Sequence, residues 1–309
     1  TLLQTDAAKR AVQTQLIASI ANSYYTLLAL DKQLAITEQT VRIRTQDVET
    51  MKALKEGAIV NGAAVVQSEA NLYAAQVTLP DLRRSIKEAE NALSVLLAVA
   101  PGAINRTTLD QQVPYADLQT GVSAQLLQNR PDVIAAEFGF RSAFENTNVA
   151  KTYFYPALTL TATGGLTSLK LSNFFDNSIF YNLVGGLTQP IFAKGANKAR
   201  LKTAQANQQI AFYNFQQALL TGGQEVSNAL YAYQTAAEKE ATRAKQIESL
   251  TKAVDYTKEL LRYSSSTNYT DVLTSEQSLL TAQLNGINDR LQKLQSVVEL
   301  YRALGGGWK

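Results

Sequence analysis

The sequence predicts a mainly α fold, built of long antiparallel coiled-coil helices with one β-hairpin, on three observations. Two long stretches without Pro carry apolar residues on a seven-residue repeat; the two-helix pattern occurs twice; and strand-like alternation is confined to the segment between the copies.

Residues 8 to 56 contain neither Pro nor Gly, and Leu27, Leu34, Val41 and Val48 repeat every seven residues, joined three positions later by Leu30 and Met51. This is a helix with a narrow apolar seam. Gly57 and Asn61-Gly62 punctuate it, and Leu72, Ala75, Leu79, Leu82, Ile86, Ala89, Leu93, Leu96 and Ala100 carry a returning helix to Pro101-Gly102. Pro80 lies inside that helix and is expected to bend it, because the seam continues in register beyond it. From about Lys198 to Tyr263 the pattern returns through Leu230, Tyr233, Ala237, Ala244, Ile247 and Val254, with Gly222-Gly223 as a predicted soft point. At about 1.5 Å per residue such a helix reaches roughly 100 Å. After Ser264-Ser265-Ser266-Thr267-Asn268, the last helix steps through Leu280, Leu284, Ile287, Leu291, Leu294, Val298 and Tyr301 to Gly305-Gly306-Gly307.

The two hairpins are copies. Ser68-Glu69, Leu72 and Ala75-Gln76 reappear as Ser275-Glu276, Leu279 and Ala282-Gln283 at an offset of 207, and Val48, Lys52 and Leu54 match Val254, Lys258 and Leu260 at 206. Roughly 85 residues of the second copy, about 122 to 206, then lack a counterpart, and a chain cut short at its N-terminus is expected. The resulting division is 1–110 for the first hairpin, 111–152 for a connecting segment and helix, 153–195 for the strands and 196–309 for the second hairpin.

Composition limits the chemistry. The 309 residues carry a net charge of +3 and contain no His and no Cys, which removes Ser-His-Asp and Cys-His triads, thiolate or imidazole metal sites and disulfides. No cofactor, no metal and no enzymatic activity are expected, and the charge is too small to argue for nucleic acid. Charged residues are 18% of the chain, against roughly 25% in an ordinary soluble domain. No apolar run approaches the ~20 residues of a transmembrane helix. Any membrane contact must come from strands.

Leu158, Leu160 and Ala162 alternate with Thr159, Thr161 and Thr163, and Tyr181, Leu183 and Leu187 with Asn182, Val184 and Thr188. Phe154, Tyr155, Phe174, Phe175, Phe180, Tyr181 and Phe192 crowd the ends of these strands, as in an aromatic girdle. A two-stranded flap on a soluble bundle uses the same alternation. In lipid, however, open strand edges leave backbone groups unpaired, so insertion requires a closed barrel with strands from several copies. The paired glycines Gly164-Gly165 and Gly185-Gly186 read as strand positions, since they lack the strand-to-helix context of a phosphate loop.

An ordered set of residues resembles the TolC-like outer-membrane factors, and among them the NodT-type lipoproteins of tripartite efflux systems: Leu126-Leu127, Arg130-Pro131-Asp132-Val133, Ala136-Glu137, Ala150, Phe154-Tyr155-Pro156, Leu158, Leu160, Gln189-Pro190-Ile191-Phe192, Gly195, Gln224-Glu225-Val226, Leu261-Arg262-Tyr263, Tyr269, Asp271-Val272-Leu273 and Leu304-Gly305-Gly306-Gly307-Trp308. The resemblance implies a homotrimer, in which strands from three chains form a twelve-stranded barrel in outer-membrane lipid of a Gram-negative cell and helices form a periplasmic α-barrel tunnel. It also implies a periplasmic adaptor, an inner-membrane RND pump and a lipid-bearing Cys in the missing segment. Each family member supplies four strands, of which two are visible. The duct would be passive, for drugs, metals or other small solutes; a duct for secreted proteins and a soluble coiled-coil scaffold remain alternatives.

The resemblance places the gate and the adaptor contacts at the two helical turns, near 57–66 and 263–274. Tyr269, Thr270, Asp271 and Thr274 lie within about one helical turn at the second, so some must face the tunnel. Thr274 stands where relatives often carry an acidic residue; Asp271 either supplies that charge or starts the helix. Val60, Asn61, Gly62, Ala63 and Ala64 at the first turn, with Ser264, Ser265, Ser266, Thr267 and Asn268 at the second, are the expected adaptor contacts, against a plain solvated turn. Arg130, Pro131 and Asp132 read as a helix start in the equatorial belt, with Pro in the first position and Asp at the positive dipole end, or as an Arg130–Asp132 pair there.

Overall fold

A computed structural model describes residues 2–113, 129–170, 172, 175, 179–263 and 269–306. Five α-helices and two strands follow in the order α1 (Leu2–Glu56), α2 (Gly62–Leu96), α3 (Pro131–Thr152), β1 (Ala157–Leu166), β2 (Ile179–Thr188), α4 (Ala196–Tyr263) and α5 (Tyr269–Ala303). A short 3-10 turn, Leu109–Gln111, follows α2. Among the described residues no helix is long and apolar enough to cross a membrane.

The chain divides into two compact units, residues 1–8 with 132–220, and 9–131 with 221–309. In the second unit the helices interlock through Leu27 of the predicted seam, and also through Leu28 and Ala29 beside it, while Leu34 and Val41 are half-buried and Ala244 is exposed. Leu28 and Ala29 of α1 pack with Leu109, Ile287 and Leu294, while Leu27 packs with Ile86 and Leu93 of α2. Val226 and Ala229 of α4 meet Leu300 and Ala303 of α5. Pro80 sits inside a continuous α2, and α4 runs unbroken through Gly222-Gly223, so the expected soft point is ordinary helix. Flanking packing outweighs the roughly 1 kcal/mol disadvantage of each helical glycine.

Three helices end in the same way. After α1, the Ile59 and Ala58 amides donate to the carbonyls of Leu54 (2.9 Å) and Lys55 (3.0 Å); after α2, Val99 and Ala98 donate to Ser94 (3.0 Å) and Val95 (3.1 Å). After α5, Gly306 and Gly305 donate to Tyr301 and Arg302, both at 3.0 Å. These paired bonds satisfy carbonyls that the helix leaves free and require a left-handed residue. That residue is Ala58 (φ 56°), Ala98 (φ 56°) and Gly305 (φ 90°). The predicted α2 seam, drawn as far as Ala100, therefore stops at Leu96, because the chain reverses at Ala98.

In the first unit α3 lies along the start of α4. Phe140 and Phe212 meet edge to face with centroids 5.6 Å apart, and Thr147 Oγ1 donates to the Ala204 carbonyl at 3.3 Å. β1 and β2 pair antiparallel, with Leu158 opposite Leu187, Leu160 opposite Gly185, Ala162 opposite Leu183, Gly164 opposite Tyr181 and Leu166 opposite Ile179. The second strand starts earlier than the alternation suggests and ends at Thr188, short of Phe192. Pro190, which has no amide to donate, lies just beyond.

Substituting Ala98→Gly or Ala58→Gly should stabilise the fold by about 0.5–1 kcal/mol, since a left-handed Ala is strained where Gly is not. Gly305→Ala should do the reverse by more than that, because its Cβ would also come within 2.9 Å of Arg130 Cα and the Asn129 carbonyl. Urea unfolding midpoints of the three variants check both signs.

Candidate functional site

The hairpin register sorts side chains by polarity. Leu158, Leu160, Ala162, Leu166, Ile179, Tyr181, Leu183 and Leu187 share one face, and Thr159, Thr161, Thr163, Asn182 and Thr188 the other, together with Val184 and Phe180. Among the described residues nothing covers the apolar face: Leu158 is 80% exposed, Tyr181 90% and Leu187 72%. Each strand has ten residues, the length of a tilted transmembrane β-strand. The sheet contains these two strands alone among the described residues. Gly165 lets the Phe180 ring lie against the backbone, where a Cβ would stand 3.2 Å from it.

At the first turn Asn61 starts α2, its Oδ1 accepting the Ala64 amide at 3.1 Å. Gly62, Ala63 and Ala64 of the expected contact loop are thus first-turn helix; Asn61 to Ala63 are exposed, and Val60 and Ala64 half-buried. Ser264, Ser265, Ser266, Thr267 and Asn268 lie outside the described residues. At the second turn Thr270, Asp271 and Thr274 are exposed in the first turns of α5, and Thr274 Oγ1 donates to the Thr270 carbonyl at 2.8 Å.

Tyr269 departs from the expectation for the gate. It is buried against Met51, Val65 and Val272, and its hydroxyl donates to Ser68 Oγ at 2.8 Å. A ring this large stabilises more by filling the inter-helix core than by facing water, provided its hydroxyl finds a partner. Burial also raises its hydroxyl pKa.

The duplicated sequence makes the same bond twice. Lys52 of α1 pairs with Glu69 of α2 at 3.5 Å, and Lys258 of α4 pairs with Glu276 of α5 at 2.5 Å. The second pair is the more buried and has gained Asp47 of α1, 3.4 Å from Lys258 Nζ. Burial, with the like charge of Asp47, raises the Glu276 carboxyl despite Lys258 beside it. Burial alone would lower Lys258, but the hydrogen bond and charge of Glu276, aided by Asp47, outweigh it and raise the ammonium pKa.

Arg44 is a residue that sequence reasoning passed over. It occupies a plus-three seam position of α1, is buried, and donates to the Asn71 carbonyl of α2 at 2.7 Å and to Gln277 Oε1 of α5 at 2.9 Å. The signal was present: Thr37 and Arg44 are the polar members of the series containing Leu30 and Met51, and both are buried.

Further ion pairs strap the segment after α2 to the helices. Arg106 grips Asp31 at 2.5 and 2.9 Å and Glu90 at 2.6 Å, and its hydrogen bond holds the Glu90 carboxyl below the usual range. Arg290 donates to the carbonyls of Leu109, Asp110 and Gln112 and pairs with Glu240 at 3.1 Å. Burial opposes the charge of Asp289, but hydrogen bonds from Lys239 and Arg243 prevail and lower its pKa.

In the equatorial motif, Pro131 opens α3, and Asp132 Oδ1 accepts the Val133 amide at 2.9 Å, as a helix start predicts. Arg130 is buried and donates to the Ala303 carbonyl at 2.7 Å and to Glu225 Oε2 at 3.0 Å. It clamps the end of α5 to α4, and Gly305 makes room for its backbone.

A two-faced strand pair with an uncovered apolar side, joined to duplicated long-helix hairpins, defines the class of TolC-like outer-membrane channel components. The model of the outer membrane efflux protein family matches residues 1–99 and 122–306, and the chain belongs to that family. It is 29% identical over 310 residues to the probable efflux pump outer membrane protein TtgC of Pseudomonas putida, covering 100% of this chain and 64% of TtgC. The cation efflux system protein CusC of Escherichia coli O157:H7 is 28% identical over 313 residues, 99% of this chain and 67% of its own length. Crystal structures of CusC superpose with a TM-score of 0.92 at 27% identity, covering 99% of this chain and 71% of that one. The chain thus spans under two thirds of the length of TtgC.

The half-buried Glu276 sets a pH dependence whose sign is fixed. Its folded pKa is raised, so its stabilising contribution is complete below the ordinary value of 4.5 and is lost as pH rises through the raised one. Glu90 and Asp289, with lowered values, act oppositely and lose their contribution as pH falls. The stability of the wild type relative to Glu276→Gln should therefore fall as pH rises above about 4.5, read from urea midpoints of both proteins at each pH.

Proposed function

We propose that this chain is a channel subunit of a tripartite efflux system: a passive exit duct through the outer membrane, with no catalytic role. The observation that carries the reading is the strand pair, whose cross-strand register gathers every large aliphatic residue but Val184 on one uncovered face. Ten-residue strands tilted in the usual way match the ≈ 25 Å apolar band of an outer-membrane barrel. Their free edges demand further strands, and the source is other copies of the chain, in a homotrimer closed around a polar lumen.

In this reading residues 153–195 enter the barrel, 111–152 form the equatorial belt, and the hairpins 1–110 and 196–309 form the tunnel wall. Energy comes from an inner-membrane RND pump acting through a periplasmic adaptor, because the sequence carries no nucleotide fingerprint. The tips near 57–66 and 263–274 are the adaptor-facing ends, and Thr270, Asp271 and Thr274 are the candidate tunnel-facing residues. TtgC and CusC are named for efflux, of unstated solutes and of cations respectively, which supports a small-solute cargo over secreted protein.

Arginine on the apolar face at Leu160 should disfavour insertion by about 2–4 kcal/mol, whereas Thr161→Arg, one residue along on the polar face, should insert normally. Folding yield in lipid vesicles and single-channel conductance in planar bilayers separate the two; equal behaviour would remove the barrel reading.

A symmetric ring of Asp271 carboxylates favours cations by Coulomb attraction. Asp271→Asn should lower the cation-to-anion permeability ratio measured from reversal potentials in a salt gradient, and an unchanged ratio takes Asp271 out of the filter.

A further inference from the structure

Where the hairpin joins its helices, the surface is basic and aromatic together. Lys151 ends α3, and Lys194, Lys198, Arg200 and Lys202 cluster in and before the first turns of α4. The two helix ends are fastened to each other: Asn197 Nδ2 donates to the Tyr153 carbonyl at 2.9 Å, and the Arg200 guanidinium lies over the Tyr153 ring, 3.9 Å from its centroid. All five cations are exposed, and none forms an ion pair among the described residues. Between Glu145 and Glu225 the sequence has one acidic residue, Asp176.

Large apolar side chains stand beside these cations. Tyr155 is 70% exposed, Ile191 84% and Phe192 94%. The cations at the start of α4 also oppose the helix dipole, and no acidic residue in the first turn offsets them. Lys198 and Lys202 lie one turn apart on one side of that helix and Arg200 on another, so the charge surrounds it. Exposed Tyr155, Ile191 and Phe192 beside unneutralised cations match a lipid interface in which apolar chains meet anionic headgroups.

We propose that this band docks on the phosphate headgroups of anionic phospholipid in the leaflet where the hairpin ends. The inference rests on the outer-membrane reading above and adds a lipid preference to it. Aromatic residues set the depth of the barrel, and the five cations select the charge of the lipid. Arg200, held on Tyr153, is the fixed member; the four lysines are free to follow headgroups.

The test is flotation of the purified protein with vesicles of phosphatidylcholine alone or with about 30 mol% phosphatidylglycerol, at low salt and at about 0.5 M salt. The wild type should partition at least about tenfold more strongly into the anionic vesicles at low salt, and the preference should shrink at high salt. The fourfold variant Lys151→Gln/Lys194→Gln/Lys198→Gln/Lys202→Gln should lose the preference. The corresponding Lys→Arg variant and Lys170→Gln, near the far end of the hairpin, should keep it. Equal partition of the wild type into both vesicles, or a preference that survives in the fourfold Gln variant with unchanged helicity, overturns the proposal while leaving the channel reading intact. Failure to associate with either vesicle overturns both.

Discussion

The backbone amides and carbonyls along the outer edges of a two-stranded sheet need partners, and here the sheet cannot supply its own. In water such a hairpin is marginal; in hydrocarbon each unsatisfied group costs several kcal/mol. The apolar face formed by Leu158, Leu160, Leu183 and Leu187 pulls the hairpin toward lipid, while its edges forbid it to enter alone. In the proposed channel, strands added along those edges meet both demands, and the Thr-rich opposite face turns to the lumen.

The helical part answers to a different constraint. Its apolar seams are narrow, so stability is shared between small clusters of Leu, Ile, Val and Ala and an unusual density of charged contacts between helices. Arg44, Arg106, Arg130 and Arg290 each tie two or more segments together through side-chain and carbonyl acceptors. Arginine suits this role because its planar fork satisfies several acceptors at once.

The helices, their order and the strand pair were legible because period and punctuation are local properties. Heptads without Pro mark α1, and the Asn61-Gly62 turn and the Thr/Leu alternation are read directly from neighbouring residues. Residues whose roles depend on distant partners were less visible. Tyr269 looks like a tip residue in sequence, and only its approach to Ser68, 201 positions away, turns it into core. Arg130 looks like the flank of a helix start, and its acceptors lie 95 and 173 positions away. The end of α2 was misjudged for another reason: Ala98 adopts a conformation that sequence rules assign to glycine. Thr37 and Arg44 show that polar interruptions of a seam carry information equal to the seam itself.

Duplication gave the two hairpins one lysine–glutamate clasp apiece, and burial then set them apart. Lys52 with Glu69 remains open to solvent ions, whereas Lys258 with Glu276 is shielded and shared with a third helix. Mobile ions screen the first and scarcely reach the second. Internal symmetry of sequence is thus compatible with mechanical asymmetry, in which one arm of the molecule loosens as the surroundings become saltier and its twin holds.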